Sequence, residues 1–318
     1  MPANRVPTVF SVSKIGYDEP GTGKVTSSHA LPLVVMAVVV IVWGLGPPTT
    51  KLVTAPPLIG TFVRFGISSP LLIVVLAARR RVLSRKVFIA TALPGLSFGI
   101  NLVFVFATLQ EATVSVLSTV VAMQPALLLV LAGPLFHEYP TGRQFTFTLA
   151  GVLGAVGVIL GAGSEIRSSW LGVGLAALSL VTFTLYFVLT RLARSDNEVD
   201  PIEWMAGINI WAFLSTIIPI LLLADRSDWA QFGGNDWIWI VIVAFVTGVF
   251  GHVLMTWLHG HLEAARSSLY ILTMHLVAVG LAWWIHDESI TWLQMISGGV
   301  VLLCVALVVT APDRREVR

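Results

Sequence analysis

Ten stretches of predominantly apolar residues follow one another along the chain, each about as long as a helix that crosses a bilayer. They cover approximately residues 31–50, 57–78, 87–108, 113–134, 144–162, 170–190, 203–223, 236–258, 265–285 and 291–311. A bilayer core takes about 20 helical residues to cross. The stretches lack the alternation of polar and apolar residues that marks the strands of a membrane barrel. The pattern therefore predicts an all-α integral membrane protein with ten transmembrane helices.

Two boundaries between these stretches carry helix caps. Asp200 precedes Pro201 at the start of the seventh stretch, and Glu203 follows three residues after Asp200. An acidic cap, a first-turn proline and a glutamate at this spacing are typical of a helix start. Ser169 stands before Trp170 in a similar way, and tryptophan is enriched at membrane interfaces. Both positions predict that a span begins there.

The first stretch is interrupted near its end. Trp43 is followed by Gly44, by Gly46 and by the pair Pro47-Pro48. A broken helix within a membrane exposes backbone groups that must face protein or a cavity. The first span is therefore the best candidate for a moving helix that lines a cavity, with Trp43 in the lining.

The composition agrees with a membrane protein. Hydrophobic residues make up 56% of the chain and charged residues 11%, whereas a soluble domain has about 25% charged residues. So few charges would not cover the surface of a soluble protein of this size. The single cysteine, Cys304, excludes an intrachain disulfide and a cysteine metal cluster.

The distribution of Lys and Arg predicts the orientation. With the N-terminus inside, most of the 19 basic residues fall on the cytoplasmic side, and the exceptions are Lys51, Arg64, Arg167 and Arg226. Cytoplasmic loops carry such an excess of basic residues. We therefore expect a protein of the bacterial cytoplasmic (inner) membrane with both termini in the cytoplasm. Residues 1–29 are predicted to form a flexible cytoplasmic tail and residues 312–318 a second tail.

The two halves of the chain resemble each other in the placement of three residue pairs. Corresponding positions are occupied by Glu138 and Glu288, by Trp43 and Phe183, and by Asn101 and His252. Each half has five spans, an odd number, so the second copy enters the membrane from the opposite side. Inverted repeats of this kind recur in carriers that alternate access. The pattern predicts two inverted five-helix repeats, over residues 30–162 and 163–311.

Several segments resemble the drug/metabolite transporter superfamily, in its ten-span EamA-like branch. They are WGLGPPTTK in the first span, FVRF around Arg64 in the second, the stretch from Phe106 to Glu138, and Glu288 at the end of the ninth span. The resemblance implies a central cavity between two repeats that opens to either side in turn. In one departure from the family, His275 lies in the region where a proline is usual in the ninth span.

The resemblance implies a secondary-active transporter of small polar metabolites, and it favours an exporter of amino acids or related compounds. An uptake carrier of the same fold is the alternative. A membrane-embedded lipid-modifying enzyme is less favoured, because such chemistry usually needs clustered acids or a base–nucleophile pair. The one close group of acids is Asp196, Glu198 and Asp200, in a short loop where Asp200 already caps a helix. We therefore expect no enzymatic activity and no cofactor.

Polar and aromatic side chains inside the spans are the candidates for contacting a substrate. They are Trp43, Asn101, Gln124, Tyr186, His252 and His275. Such polar groups either line a wet cavity or join helices by hydrogen bonds. The cavity interpretation is favoured for His252 and His275, since histidine is unfavourable in lipid and titrates near neutral pH. For Asn101 and Gln124 both interpretations stay open, and His275 is also the candidate for proton coupling.

Three charged residues are assigned to gating or structural roles. Arg64 could clamp a substrate carboxylate, but an outer-leaflet arginine that snorkels or pairs with Glu111 is favoured. Glu138 and Glu288 close the fourth and ninth spans at opposite faces. Their symmetry favours a structural carboxylate at each helix end, and a gating salt bridge is the alternative.

The cluster of His259, His261 and Glu263 is the closest approach to a metal site in the sequence. Residues two apart on a helix point about 200° from each other, so a solvated helix end is favoured over convergent ligands and we expect no metal. The expected partners are a small-molecule substrate and the lipid bilayer, without nucleic acid. Protons are the candidate coupling ion, and a homodimer is one candidate assembly.

Overall fold

The computed structural model describes residues 30–124, 127, 131, 142–161, 169–193, 199–258 and 264–309. The first half contains α1 (Ala30–Gly44), α2 (Gly46–Lys51), α3 (Pro57–Ala78), α4 (Arg85–Ala90), α5 (Ala92–Glu111), α6 (Val114–Val121) and α7 (Gly142–Gly161). The second half contains α8 (Trp170–Ala193), α9 (Pro201–Leu223), α10 (Arg226–Ala230), α11 (Asp236–Ile242), a π-helix (Val243–Phe250), α12 (Gly251–Leu258), α13 (Ala264–His286) and α14 (Trp292–Val309). No strand occurs among the described residues.

Several of these helices are suited to a lipid environment. Within the described part of the chain, six stretches are long and apolar enough to cross a membrane: Leu31–Lys51, Pro57–Ala78, Ala92–Glu111, Trp170–Thr190, Pro201–Leu223 and Asp236–Leu258. Shorter apolar helices cover Phe145–Gly154 and Trp292–Cys304, inside the predicted fifth and tenth spans. Large apolar side chains point outward, as at Leu221 and Trp284, which are 77% and 74% exposed. Apolar surface on this scale is rare on soluble proteins and indicates lipid contact.

Both of the helix starts expected from capping residues are confirmed. The Asp200 carboxylate accepts a hydrogen bond from the Ile202 amide at 2.8 Å. The Ser169 hydroxyl accepts one from a first-turn amide of α8 at 3.0 Å. Glu203 does not complete a capping box, because its carboxylate accepts a hydrogen bond from the Ser84 amide at 2.9 Å instead. Glu203 therefore ties α9 to the loop before α4.

The break in the first span is also confirmed. Helix α1 ends at Gly44, Leu45 forms a turn, and α2 begins at Gly46 with a proline in its first turn. Gly44 allows α1 to approach α13 closely, since a Cβ at this position would lie 2.6 Å from a side-chain carbon of Val277. Helix α2 packs against α5, α13 and the π-helix. The break therefore places a short, separate helix in the middle of the bundle.

The third span begins and ends later than the predicted 87–108. Its long helix is α5, and α4 is a separate short helix before it. Pro94 has no amide hydrogen to bond the Ala90 carbonyl, so one hydrogen bond of a regular α-helix is missing at this point. The Thr91 hydroxyl instead donates to the Val87 carbonyl at 2.9 Å. The single span predicted over residues 87–108 is thus divided between α4 and α5.

The two halves of the chain interlock. Helix α9 of the second half packs against α3 and α5 of the first half, and α8 packs along α5. Helix α1 packs along α12 and α13, while α7 packs on α14. The largest core cluster includes Phe65, Phe98 and Ile208. The Ser68 hydroxyl donates to the Asn209 side-chain oxygen at 2.7 Å across the α3–α9 contact. The space enclosed by these helices lies between the halves.

Candidate functional site

A cavity of about 150 Å³ lies in the middle of the bundle and is lined by both halves. Its wall is mostly apolar, with polar contributions from Thr50, Arg64, Asn101, Ser118, Ser179, Thr247, His252 and His275. A largely apolar wall with a few convergent polar groups is the usual construction of a small-molecule site. The cavity is therefore the candidate binding site.

Four of the six residues expected to contact a substrate lie in this wall. They are Trp43, Asn101, His252 and His275, from α1, α5, α12 and α13. The sequence did not single out Thr50, Ser118 or Thr247 for this role, because a single hydroxyl in an apolar helix carries no distinctive signal. The broken first span contributes both Trp43 and Thr50, as its glycines and prolines indicate.

A row of aromatic rings supports one side of the cavity. The Trp43 and His252 ring centroids are 4.9 Å apart, and the Phe98 and His252 ring centroids are 5.4 Å apart. Tyr186 stacks behind Phe98 at 4.8 Å and is 7% exposed. The structure therefore places Tyr186 in the row behind the cavity wall, where it holds Phe98 in position.

Asn101 combines the two roles that the sequence left open. Its side-chain nitrogen donates to the Ser179 carbonyl at 2.8 Å and to the Ser179 hydroxyl at 3.0 Å. These bonds join α5 to α8, while both residues also line the cavity. Asn101 is thus a helix-joining residue whose position is fixed at the cavity wall.

His275 lies on α13 at the boundary between two cavities. It is 9% exposed and lines the central cavity as well as a second cavity of about 340 Å³ between α6, α13 and α14. Ser118 of α6 lines both cavities too. His275 therefore borders enclosed space within the bundle on two sides.

Gln124 lies apart from the other candidates, just beyond the end of α6. It is not among the residues that line either of these two cavities. Its side-chain nitrogen is buried and has no hydrogen-bond partner within the described part of the chain. The described residues do not bring Gln124 to the central cavity.

Arg64 is not the snorkelling outer-leaflet residue that the sequence favoured. It is 7% exposed and lines the central cavity. Its expected partner, Glu111, instead accepts a hydrogen bond from the Ser169 hydroxyl at 3.1 Å. The expectation of an Arg64–Glu111 pair was wrong because Glu111 ends α5 at the surface, where it meets the start of α8.

Glu288 lies at the centre of a cluster that joins the two halves at the predicted outer end. Its carboxylate is 2.6 Å from the Lys51 ammonium and accepts hydrogen bonds from the Val114 amide at 3.0 and 3.1 Å. The Lys51 ammonium also donates to the Ala112 carbonyl at 3.0 Å. Glu288 thus forms an ion pair and holds the first turn of α6. The corresponding Glu138 lies outside the described residues.

Two more contacts close the same end of the bundle. The Asp236 carboxylate accepts hydrogen bonds from the Thr54 amide at 2.8 Å and from its hydroxyl at 3.1 Å. The His286 ring is 2.8 Å from the Pro48 carbonyl oxygen. Both contacts join the segment around α2 to the second half of the chain. The first half is therefore fastened to the second at several points on this side of the cavity.

The described part of the chain contains no group of three histidine, cysteine, aspartate or glutamate residues that could hold a metal ion. The cluster of His259, His261 and Glu263 lies outside the described residues.

Comparison with known families gives two matches along the chain. The sequence model of the EamA-like transporter family matches residues 30–160 and again residues 170–310. Together the two matches cover well over half of the chain, and they meet at the junction between its halves. Each half therefore corresponds to one copy of the family's repeat.

Individual relatives are more distant. The chain is 28% identical over 120 residues to the protein-methionine-sulfoxide reductase heme-binding subunit MsrQ of Ralstonia nicotianae (strain ATCC BAA-1114 / GMI1000). That match includes 34% of this chain and 54% of the relative, so the chain spans about half the length of the curated relative it matches. A solved structure described as "Crystal structure of protein" is 20% identical, with a TM-score of 0.62 over 91% of this chain and 99% of that chain. At this identity, the likeness shows a shared fold alone.

Proposed function

Because the chain belongs to the EamA-like transporter family and is therefore a membrane transporter of the drug/metabolite transporter superfamily, we propose that it exports amino acids or related small polar metabolites by alternating access. The observation that carries the proposal is the cavity between the two halves, whose apolar wall holds a few polar groups such as Arg64, Asn101 and His252. A central site of this kind can hold one small solute at a time.

An inverted arrangement of the two repeats is part of the proposal, and the helix packing supports it. If each span is matched to the span five positions later, contacts occur in related pairs. Helix α1 packs on α13 as α8 packs on α6, and α3 packs on the π-helix as α9 packs on α5. Pairing of this kind is expected when two copies of one unit are related by a two-fold axis in the membrane plane. Ten spans with both termini in the cytoplasm complete this arrangement.

The Lys51–Glu288 cluster is proposed to be the outer gate. It joins α2 and the start of α6 to the end of α13, so it connects parts of both halves beyond the cavity. While these contacts hold, the cavity can load from the opposite, cytoplasmic side, which is the first step of export. Separating Lys51 from Glu288 would open the outer side. The bridge then re-forms after the solute leaves.

The test is solute exchange in proteoliposomes that contain the purified full-length protein. Vesicles loaded with unlabelled L-leucine, L-threonine or L-phenylalanine should accumulate the matching labelled amino acid by counterflow. Glu288→Gln should slow this exchange about 10-fold or more, because the gate loses its ion pair. The neighbouring, exposed Asp287 provides a matched control, and Asp287→Asn should leave the rate unchanged. The proposal fails if none of these amino acids exchanges, or if both variants behave alike.

The direction of transport and the orientation of the protein in the membrane are tested together in whole cells. Cells that overproduce the protein should release the exchanged amino acid into the medium faster than cells with Glu288→Gln. A single cysteine at Arg85, in a Cys304→Ala background, should resist an impermeant thiol reagent because the Arg79–Lys86 segment, which includes the start of α4, is expected to face the cytoplasm. Net accumulation inside the cells would instead favour the uptake carrier, and ready labelling would overturn the orientation.

A further inference from the structure

Arg64 is a buried cation in the wall of the central cavity. Within the described part of the chain, it has no ion pair and no hydrogen bond. Arginine keeps its charge in proteins, and an arginine in the middle of a membrane is unfavourable by about 2.5–3.5 kcal/mol on insertion scales. Such a group is stabilised by a counter-charge. The cavity beside Arg64 is the space in which one could be bound.

The acids closest to the outer end do not supply this counter-charge, because each is engaged elsewhere. Asp236 is bound by Thr54, Glu288 by Lys51 and Glu111 by Ser169. None of the three lines the central cavity. The residues around the guanidinium are apolar or uncharged, among them Phe65, whose ring centroid is 5.7 Å from Cζ of Arg64.

The π-helix packs on the guanidinium at Gly248. A Cβ on Gly248 would lie 3.5 Å from Nη2 and 3.8 Å from Nε of Arg64, which is ordinary van der Waals contact, and 3.1 Å from the Val243 carbonyl oxygen. π-Helical segments within α-helices are frequent at functional sites. Thr247, next to Gly248, lines the same cavity.

A second hydrogen-bond donor in this wall also has no partner. The Trp43 indole nitrogen is buried without a hydrogen bond in the described part of the chain, but it lies against Gly251, where an added Cβ would be 2.6 Å away. The recognition of a ligand therefore rests on Arg64. A guanidinium donates hydrogen bonds and does not accept them, so a ligand that binds it must carry acceptors. Together with the positive charge, this requirement points to an anion with oxygen acceptors.

We propose that Arg64 binds the carboxylate of the transported solute, so that the protein selects small metabolites that carry a carboxylate. The inference rests on the proposed transport function and adds the chemical group that the cavity recognises. A guanidinium offers two parallel N–H groups that match the two oxygens of a carboxylate. The cavity volume of about 150 Å³ is below the roughly 300–1,000 Å³ of pockets for drug-sized ligands. It therefore suits a small metabolite.

Ligand binding to the purified full-length protein tests this proposal. Its apparent melting temperature is measured with L-leucine, L-threonine, L-phenylalanine and succinate, with the amides of the three amino acids, and with inorganic phosphate. At least one carboxylate should raise the melting temperature, and for an amino acid its amide should have little effect. The proposal is overturned if no carboxylate stabilises the protein, if acid and amide act equally, or if phosphate alone acts.

Substitutions then test whether the stabilisation by carboxylates depends on Arg64. Arg64→Gln should weaken binding of the active carboxylate by roughly 10-fold to 100-fold, the usual effect of losing a hydrogen bond to a charged group. Arg226→Gln removes the same charge from an exposed site in α10 and should leave binding unchanged. Retention of the acid-over-amide preference in Arg64→Gln would overturn the proposal.

Arg64→Lys provides a second, independent variant that keeps the charge. A lysine ammonium is a point charge without the two parallel N–H groups of a guanidinium, so carboxylate binding should weaken by several fold. If Arg64→Gln does not fold, unchanged carboxylate binding in Arg64→Lys overturns the proposal. If carboxylates bind in a way that depends on Arg64 but no amino acid is exchanged across the vesicle membrane, the proposed transport function is refuted and the carboxylate site stands. If amino acids are exchanged but the acid and its amide are selected equally, the carboxylate site is refuted and the transport function stands.

Discussion

Two regions of the molecule contain a positively charged side chain, one paired with a carboxylate and the other without an acidic partner among the described residues. At the predicted outer end, the Lys51 ammonium lies 2.6 Å from the Glu288 carboxylate, which also binds the Val114 amide. In the centre, Arg64 is 7% exposed and has no ion pair within the described residues. The outer charges satisfy one another in this state. The central charge has no acidic partner among the described residues, and it borders the cavity and uncharged groups such as the Phe65 ring.

The difference separates a closing contact from a binding group. A buried ion pair is self-sufficient, and removal of one partner leaves the other as an uncompensated charge. A buried cation without a partner is already in the unfavourable state and gains most from a ligand. The same kind of substitution should therefore have opposite consequences at the two places.

The largest expected effect is on stability. Lys51→Met leaves Glu288 buried without its cation, and breaking a buried pair is unfavourable by about 3–5 kcal/mol. We expect the lower end of that range, because the Lys51 side chain is 21% exposed. Arg64→Met should leave the apparent melting temperature unchanged or higher. Thermal unfolding of both variants in the same detergent is the measurement, and an equal loss in Arg64→Met would contradict the comparison.

A smaller effect, confined to the coupling of transport to a proton gradient, is expected from substitution of His275. His275→Ala should abolish flux driven by a pH gradient but retain exchange at equal pH, since the imidazole can take up and release a proton at the cavity. His252 and Arg64 are the other titratable or charged groups lining this cavity, so His252→Ala is the matched variant and should keep the driven flux. Full gradient-driven transport in His275→Ala would leave a packing role and direct attention to Glu138 and Glu288.

The smallest effect concerns Asp225, outside the spans. Hydrogen bonds from the Ser227 side chain and from backbone amides lower the pKa of this carboxyl below its ordinary value of 3.8. A lowered pKa contributes stability that is present above the ordinary pKa and is lost as the pH falls through the folded-state pKa. Asp225→Asn should therefore lower the apparent melting temperature slightly at neutral pH, and the two curves should converge in strong acid. A constant difference at all pH values would contradict this assignment.

Local signals in the sequence were sufficient for several helix ends and for the broken first span. Asp200 and Ser169 cap their helices because a side-chain oxygen can reach an amide two or three residues later in the chain. Glycine and proline around Leu45 end α1 whatever surrounds them. Such features depend on neighbours in sequence, so a pattern of residues predicts them.

For the ion pair at the outer end, the sequence indicated the carboxylate but not its partner. The position of Glu288 at a helix end indicated a structural or gating role, but its partner Lys51 lies 237 residues away. A pair of that separation depends on how α2 and α13 pack, which no local pattern encodes. The same limit applies to Arg64, whose expected pairing with Glu111 was wrong. Whether a charge in a span faces lipid or a cavity is decided by the helices around it.

The π-helix between α11 and α12 determines which side of α12 faces the cavity. Each residue of an α-helix advances the chain by about 100° around its axis, and a π-helical turn accommodates more residues than an α-helical one. Rewinding Val243–Phe250 into regular α-helix would therefore swing α12 around its own axis. His252, two residues beyond the π-helix, would rotate with it and leave its place beside Trp43. The composition of the cavity wall is thus tied to the winding of a single helix.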